Sequence, residues 1–166
     1  MIQVYIPATL AMLQQLVADG ELRPVNGTAF AVTPRLRESY AEGDDDELAE
    51  VALREAALAS LRLLAADQDG TLPARRAVLA AEVDELTYRP DLDDAVVRLD
   101  GAVPMKRVVA AYVDTAGAES AVTAAVEAVD AADLGDEDAD LIVGDAQDHD
   151  LAWYAAQELP FLLELL

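Results

Sequence analysis

The only histidine of the chain, His149, lies among carboxylates, with Asp145 four residues before it and Asp148 and Asp150 directly beside it. On a helix, Asp145 and His149 share one face, and imidazole and carboxylate groups are suitable ligands for a divalent metal. Two ligands do not complete a site. The alternative is a histidine at a helix C-terminus, whose protonated form is stabilised by the helix dipole and the neighbouring aspartates. We adopt this second interpretation and predict neither a metal nor a cofactor.

A second group of candidate residues follows the histidine directly. A strand here places Trp153 and Tyr154 on opposite faces, one in the core and the other near the surface. Core packing is the default interpretation of aromatic residues at such positions, and a binding role is the alternative. Because polar and aromatic residues are densest here, we expect a pocket in this segment, with cationic partners from the short helix that begins at Pro34. The predicted binding residues are Arg35, Arg37, Tyr40, His149, Trp153, Tyr154 and Gln157.

Two carboxylates, Asp67 and Asp69, could carry phosphoryl-transfer chemistry. The string DQDGTL at 67–72 resembles the nucleophile loop of haloacid dehalogenase-like phosphatases. The string IVGDAQD at 142–148 resembles their late acidic motif, and Lys106 lies between the two strings. The resemblance implies that Asp67 attacks phosphorus, that Asp69 is the general acid and that carboxylates hold Mg²⁺.

The position of Asp67 argues against this chemistry. In those phosphatases the nucleophile follows a buried strand, whereas Asp67 ends an amphipathic helix predicted over 44–67. A motif outside its structural context is weak, and a helix exit followed by a turn also explains 67–70. We therefore favour a non-enzymatic binding or regulatory domain and assign no catalytic residue. A Mg²⁺-dependent phosphohydrolase using Asp67 and Asp69 is the alternative, so the question of catalysis stays open.

The pattern of apolar residues and turn signals predicts the elements that position these groups. Strands are predicted at 2–6, 76–83, 95–99, 108–113 and 151–154. Helices are predicted between Thr9 and Gly20, from Pro34 to Tyr40, and over 44–67, 116–132 and 136–147, with single turns at 104–107 and after Pro160. This order predicts one α+β domain over residues 1–166, with a mixed sheet of four or five strands covered by helices. The expected core includes Val4, Leu13, Leu58, Leu61, Val78, Leu79, Val109 and Val113.

Composition narrows the classes of function. The 166 residues include 33 acidic and 11 basic side chains, for a net charge of −22, with 54% apolar residues and no cysteine. This charge disfavours a nucleic-acid partner, and the lack of cysteine removes disulfides and thiolate chemistry. No apolar run is long enough to span a bilayer, and the first residues do not resemble a signal peptide. We therefore predict a cytoplasmic protein without a membrane partner, and the partner is an unknown protein or small molecule.

Charge and apolarity are both uneven toward the end of the chain. Residues 108–166 contain 14 acidic residues and no Lys or Arg. A surface for a basic partner or cation explains this asymmetry, and so does a set of solvated helix faces. In the last segment, 159–166, six of the eight residues are large and apolar. That segment either packs on its own domain or forms the interface of a homodimer.

Three strings carry a resemblance across nearly the whole chain: VYIPATL at 4–10, TAFAVTP at 28–34 and DHDLAWY at 148–154. They resemble an actinobacterial family of uncharacterised small acidic proteins, a domain of unknown function. The resemblance implies a bacterial cytoplasmic source with a GC-rich genome. It brings no activity, cofactor or catalytic residue.

Overall fold

The computed structural model describes residues 1–40, 42–67 and 70–166. These residues form nine strands and six helices, interrupted by short 3-10 turns. In chain order the elements are β1 (Ile2–Ala8), α1 (Leu10–Asp19), β2 (Glu21–Leu22), β3 (Thr28–Phe30), α2 (Pro34–Ser39), α3 (Asp45–Ala66), β4 (Ala77–Val83), β5 (Thr87–Tyr88), β6 (Val96–Arg98), β7 (Val103–Pro104), β8 (Val108–Val113), α4 (Glu119–Asp133), α5 (Glu137–Gln147), β9 (Ala152–Ala155) and α6 (Leu159–Glu164).

The predicted helix boundaries are set by capping side chains. The Thr9 hydroxyl accepts a hydrogen bond from the Met12 N–H at 3.2 Å, and Gly20 ends α1 in the left-handed conformation with φ of 80°. The side-chain oxygen of such a capping residue accepts a hydrogen bond from a backbone N–H that has no partner within the first helical turn. The same arrangement begins three more helices, at Thr33, Asp44 and Asp136.

Seven strands form one sheet in the order β5-β6-β3-β1-β4-β8-β9, and β2 pairs separately with β7. The predicted α+β class is confirmed, and all five predicted strands are present. The expected strand number and the mixed sheet are wrong, because every pairing is antiparallel. The four missed strands contain only two or three residues each, which is too short for a periodic pattern.

Alternating side chains divide the core between the two faces of the sheet. On one face, Val4 and Ile6 pack with α1 and α6. On the other face, Tyr5 and Val78 pack with α2 and α3. A third cluster joins the second half of α3 to the hairpin of α4 and α5. In the described ranges, no helix has the length and apolarity that crossing a bilayer requires.

Two expected core residues deviate from the prediction. Ala80 pairs with Ala110 and Ala81 with Val108, so Val109 is the extra residue of a β-bulge. The bulge turns its side chain outward, and Val109 is 45% exposed. Leu58 is only half-buried, at the edge of the cluster of α3, α4 and α5. The other six predicted core residues are buried.

Candidate functional site

A cleft of about 260 Å³ opens between α3, β8 and the loop that joins α5 to β9. We call it the His149 cleft. Its polar lining residues are Glu50 and Arg54 from α3, Arg76 just before β4, Tyr112 from β8, and Gln147, His149 and Asp150 from the end of α5 and the following loop. The sequence places the expected pocket in this segment, and the structure brings His149 into the cleft wall.

The floor of the cleft is Arg76, which forms a buried ion pair with Asp114; the two side chains are 3% and 0% exposed. Arg76 Nε and Nη2 donate to the two carboxylate oxygens at 2.9 and 2.8 Å, and the Arg76 backbone N–H donates to Asp114 Oδ2 at 2.7 Å. Such a bidentate pair fixes both side chains in one geometry. Nη2 also donates to the His149 backbone oxygen at 2.8 Å. Arg76 therefore fixes the loop that carries His149 and is not itself available to a ligand.

The cleft wall contains groups that are available. Among the described residues, neither the Arg54 guanidinium nor the His149 side chain makes a hydrogen bond or ion pair, and both residues are exposed. Most other arginines are paired with carboxylates. The half-buried Tyr112 ring is held edge-on to Tyr5, with centroids 6.4 Å apart. The wall thus presents a guanidinium, an imidazole and an aromatic surface.

The two aromatic residues of β9 point to opposite faces, as strand alternation predicts. Tyr154 is half-buried and packs against the core that α1 and α6 cover. Trp153 pairs in register with Tyr112, so it lies on the same face as the cleft, and it is 57% exposed. Gln157 is exposed in the 3-10 turn after β9. None of these three residues lines the cleft, and of the three only Trp153 is shown to share its face of the sheet.

The expected pairing of α2 with this acidic segment is wrong. Arg35 forms an ion pair with Asp94 at 3.4 Å, and Arg37 forms one with Asp45. Tyr40 is 45% exposed at the end of α2. The reason is the strand order: α2 follows β3, which is four strand positions from β9, or roughly 19 Å at the usual strand spacing. Arg35, Arg37 and Tyr40 therefore belong to a different part of the surface.

The structure does not give Asp67 the position of a phosphatase nucleophile. Asp67 caps the C-terminus of α3, and its backbone N–H donates to the Leu63 oxygen at 3.1 Å. Asp69 lies outside the described residues. Lys106 is exposed in a 3-10 turn before β8, and Asp145 lies on α5. Within 1–40, 42–67 and 70–166, no group of three or more His, Asp or Glu side chains is arranged to hold a metal ion.

Sequence reasoning missed most of the cleft wall. Glu50, Arg54 and Tyr112 come from elements that meet only through the strand order, and nothing local to them indicates a site. The sequence did contain one signal for the ion pair at the floor of the cleft. Arg76 is the first residue of one predicted strand, and Asp114 directly follows another. If those two strands are antiparallel neighbours, the two residues must meet at the same end of the sheet.

Comparison with known proteins gives the family and no activity. No curated protein and no solved structure matches the chain. The model of a family of unknown function, DUF6912, matches residues 2–163. This match covers nearly the whole chain and agrees with the resemblance to an uncharacterised family. The chain belongs to the DUF6912 family of unknown function.

Proposed function

We propose that residues 1–166 form one α+β domain that binds a partner protein without catalysis. The binding surface is the His149 cleft together with Trp153 beside it. The observation that carries the proposal is the coincidence, on one face of the sheet, of an exposed Arg54 that has no ion pair within the described ranges, an exposed His149 and a 57% exposed tryptophan. Trp, Tyr and Arg are the residue types that contribute most to protein interfaces.

The rigidity of the surface also supports recognition. The Arg76–Asp114 pair holds the loop of His149, and Tyr5 holds the Tyr112 ring. A surface ordered before binding loses less conformational entropy when a partner arrives. The cleft itself is small, since about 260 Å³ is below the range of most small-molecule pockets. Because Trp153 lies beside the cleft, a partner protein covers both features and a small ligand covers only one.

The cellular setting belongs to the same proposal. Ten arginines accompany a single lysine, which suits the GC-rich genome of an actinobacterium, and we place the domain in the bacterial cytoplasm. The net charge of −22 supports a partner other than nucleic acid.

We further propose a homodimer through the outer face of α6, where Phe161 and Leu165 are 69% and 85% exposed. These two residues are four apart and share one helix face.

Site-specific crosslinking in cells tests the binding surface. A photoreactive amino acid replaces Trp153 in one variant and Leu134, which is 90% exposed at the tip of the α4–α5 hairpin, in the control. We expect one defined protein to crosslink at position 153 and not at 134, with a loss of yield when Arg54→Ala is added. Equal products at both positions, or no product at 153, contradict the proposal.

A phosphatase assay tests the absence of catalysis. The intact chain is incubated with a generic aryl phosphate and Mg²⁺, beside Asp67→Asn. We expect no turnover above background in either protein, because Asp67 ends a helix and follows no strand. Turnover by the intact chain that disappears in Asp67→Asn identifies the chain as a phosphohydrolase.

A further inference from the structure

The two edges of the large sheet are different. At one edge, β5 has only two residues, Thr87 and Tyr88, and is followed by Pro90 and by an Arg89–Asp91 ion pair. Short strands, prolines and charges are the usual devices that prevent a further strand from pairing. At the other edge, β9 has four residues, Ala152–Ala155, without a charge or a proline. The edge at β9 is therefore the one that can accept another strand.

The backbone of β9 presents hydrogen-bonding groups on its outer side. The Ala155 N–H donates to Glu158 Oε1 at 3.4 Å, which is a long bond to a side chain of the following turn. That N–H consequently points away from β8. In an antiparallel pair, residues alternate between the inner and outer hydrogen-bonding sides, so the backbone groups of Trp153 point outward as well.

The negative charge around this edge favours a partner segment with basic side chains. Asp148 and Asp150 precede β9, Glu158 follows it, and residues 108–166 contain no Lys or Arg. In the lining of the adjacent cleft, the two carboxylates of Glu50 and Asp150 outnumber the one guanidinium of Arg54, because the charge of Arg76 is already neutralised by Asp114. A second copy would bring the same carboxylates against this edge, so like charges oppose the pairing of β9 with another β9.

We propose that β9 binds an extended segment of the partner protein as an eighth strand, and that this segment carries Lys or Arg at alternate positions. This inference rests on the proposed function and specifies its mode. Alternate side chains of an added strand lie on one face. One cationic side chain covers the exposed Trp153 ring in a cation–π contact, and its neighbours on that strand reach the carboxylates of Asp150 and Glu158.

The probe is a labelled seven-residue peptide with Lys at every odd position and Val between, blocked at both ends. Its control has the same sequence with the backbone N–H groups along one edge methylated, which keeps the charge and prevents strand pairing. We expect the intact chain to bind the unmethylated probe at least about ten-fold more tightly, since two or more backbone hydrogen bonds are lost in the control. In NMR spectra, the largest changes in backbone amide chemical shift on adding the probe should occur at residues 152–155.

The matched variant is Ala155→Pro. Ala155 has a φ of −65°, the value that proline imposes, and its N–H is not needed for pairing with β8. The variant should therefore keep the thermal unfolding midpoint of the intact chain and bind the probe at least about ten-fold more weakly. Trp153→Ala should weaken binding about two- to five-fold through loss of the cation–π contact.

Three outcomes overturn the inference. Equal binding of the methylated and unmethylated probes indicates unspecific attraction to an acidic surface. Unchanged binding in a folded Ala155→Pro variant shows that the edge is not used. A dimeric intact chain that Ala155→Pro converts to a monomer shows that a second copy occupies β9. If crosslinking at position 153 persists in Ala155→Pro, partner binding stands and only the strand mode fails; if crosslinking at 153 never occurs, the proposed function fails as well.

Discussion

Arg76 and Asp114 connect the fold to the candidate site at the scale of single residues. Their pair lies where β4 begins and β8 ends, and a further hydrogen bond from the Arg76 guanidinium reaches the backbone of His149. The stability of the sheet end and the position of the cleft wall therefore depend on the same guanidinium. Exposed pairs such as Arg89–Asp91 have no comparable role, because water screens them.

Replacing Asp114 tests this dependence. Asp114→Asn keeps the side-chain volume but leaves the Arg76 charge buried and uncompensated, and we expect a loss of about 3–5 kcal/mol in the free energy of unfolding. Urea titration followed by circular dichroism measures it. The control, Asp91→Asn in an exposed pair, should leave that free energy nearly unchanged. Similar small losses in both variants would refute a structural role for the buried pair.

Tyr5 gives a prediction for alkaline pH. Burial raises the pKa of its hydroxyl, Tyr112 adds to the rise, and the hydrogen bond donated by Gln3 Nε2 at 3.0 Å lowers it. Unfolded tyrosine titrates near pH 10, so above that pH the unfolded chain releases its proton while the folded chain retains it. The stabilising contribution is complete below about pH 10 and is lost as the pH rises through the folded pKa of Tyr5.

We therefore expect the free energy of unfolding to fall less steeply above about pH 10 in Tyr5→Phe than in the intact chain. Tyr40→Phe, at an exposed position, is the control. Urea unfolding at a series of pH values, together with tyrosinate absorbance, gives both slopes. An identical slope in Tyr5→Phe and the intact chain would show that Tyr5 does not contribute.

At the scale of elements, the sequence is informative where a signal is local. Thr9, Thr33 and Asp44 begin helices because their side chains cap the backbone in any tertiary context. Apolar runs long enough to show periodicity identify the longer strands, such as β1 and β4. Strands of two or three residues exist only because a neighbour pairs with them, and the bulge that exposes Val109 depends on register. Neither feature has a local signal.

The same distinction explains the candidate site. His149 and Trp153 come from one segment, in which the sequence predicts a pocket; His149 lines the cleft, and Trp153 lies on the same face of the sheet. Arg54 and Tyr112 reach it from α3 and β8, whose meeting is decided by the order of the strands. Arg35 and Arg37 were expected there for their charge alone, and strand order places them with Asp94 and Asp45 instead.

The turn at Asn26–Gly27 shows how a local signal and a tertiary contact combine. Gly27 has a φ of 70°, and a Cβ there would lie 2.7 Å from the Leu99 backbone oxygen. Gly101 has a φ of 83° and open space around it. Gly101→Ala should therefore lower the free energy of unfolding by about 1–2 kcal/mol, because alanine disfavours the left-handed backbone. Gly27→Ala should lower it by about 1–3 kcal/mol more, because the added Cβ also clashes with the Leu99 oxygen. Urea unfolding of the two variants measures the difference; equal losses would show that the turn can move away from Leu99.

Acidic charge dominates the behaviour of the whole molecule. With a net charge of −22, self-repulsion opposes the folded state, and added salt screens it. We expect the thermal unfolding midpoint to rise gradually with NaCl and to respond similarly to different divalent ions at equal ionic strength. A large shift with micromolar Mn²⁺ or Zn²⁺ that disappears in His149→Ala would instead reveal a specific metal site at His149.

The apolar C-terminal segment both completes the core and leaves an outer face. Leu159 and Leu162 are 0% and 7% exposed and join the cluster of α1 and the sheet. Leu159→Ala should therefore lower the free energy of unfolding by about 2–5 kcal/mol, the usual cost of removing a buried leucine side chain. For the same reason, a chain that ends at Glu158 should lose much of its stability, and it does not isolate the role of the segment in assembly.

Paired substitutions on the outer face test assembly without removing the core contacts. Phe161 and Leu165 point away from Leu159 and Leu162, so Phe161→Ser with Leu165→Ser should leave the unfolding free energy of a single chain nearly unchanged. If α6 forms a two-fold interface, light scattering shows a dimer for the intact chain and a folded monomer for the double variant. A monomeric intact chain at high concentration and physiological salt would refute the dimer. The segment would then serve only the core of its own chain, through Leu159 and Leu162.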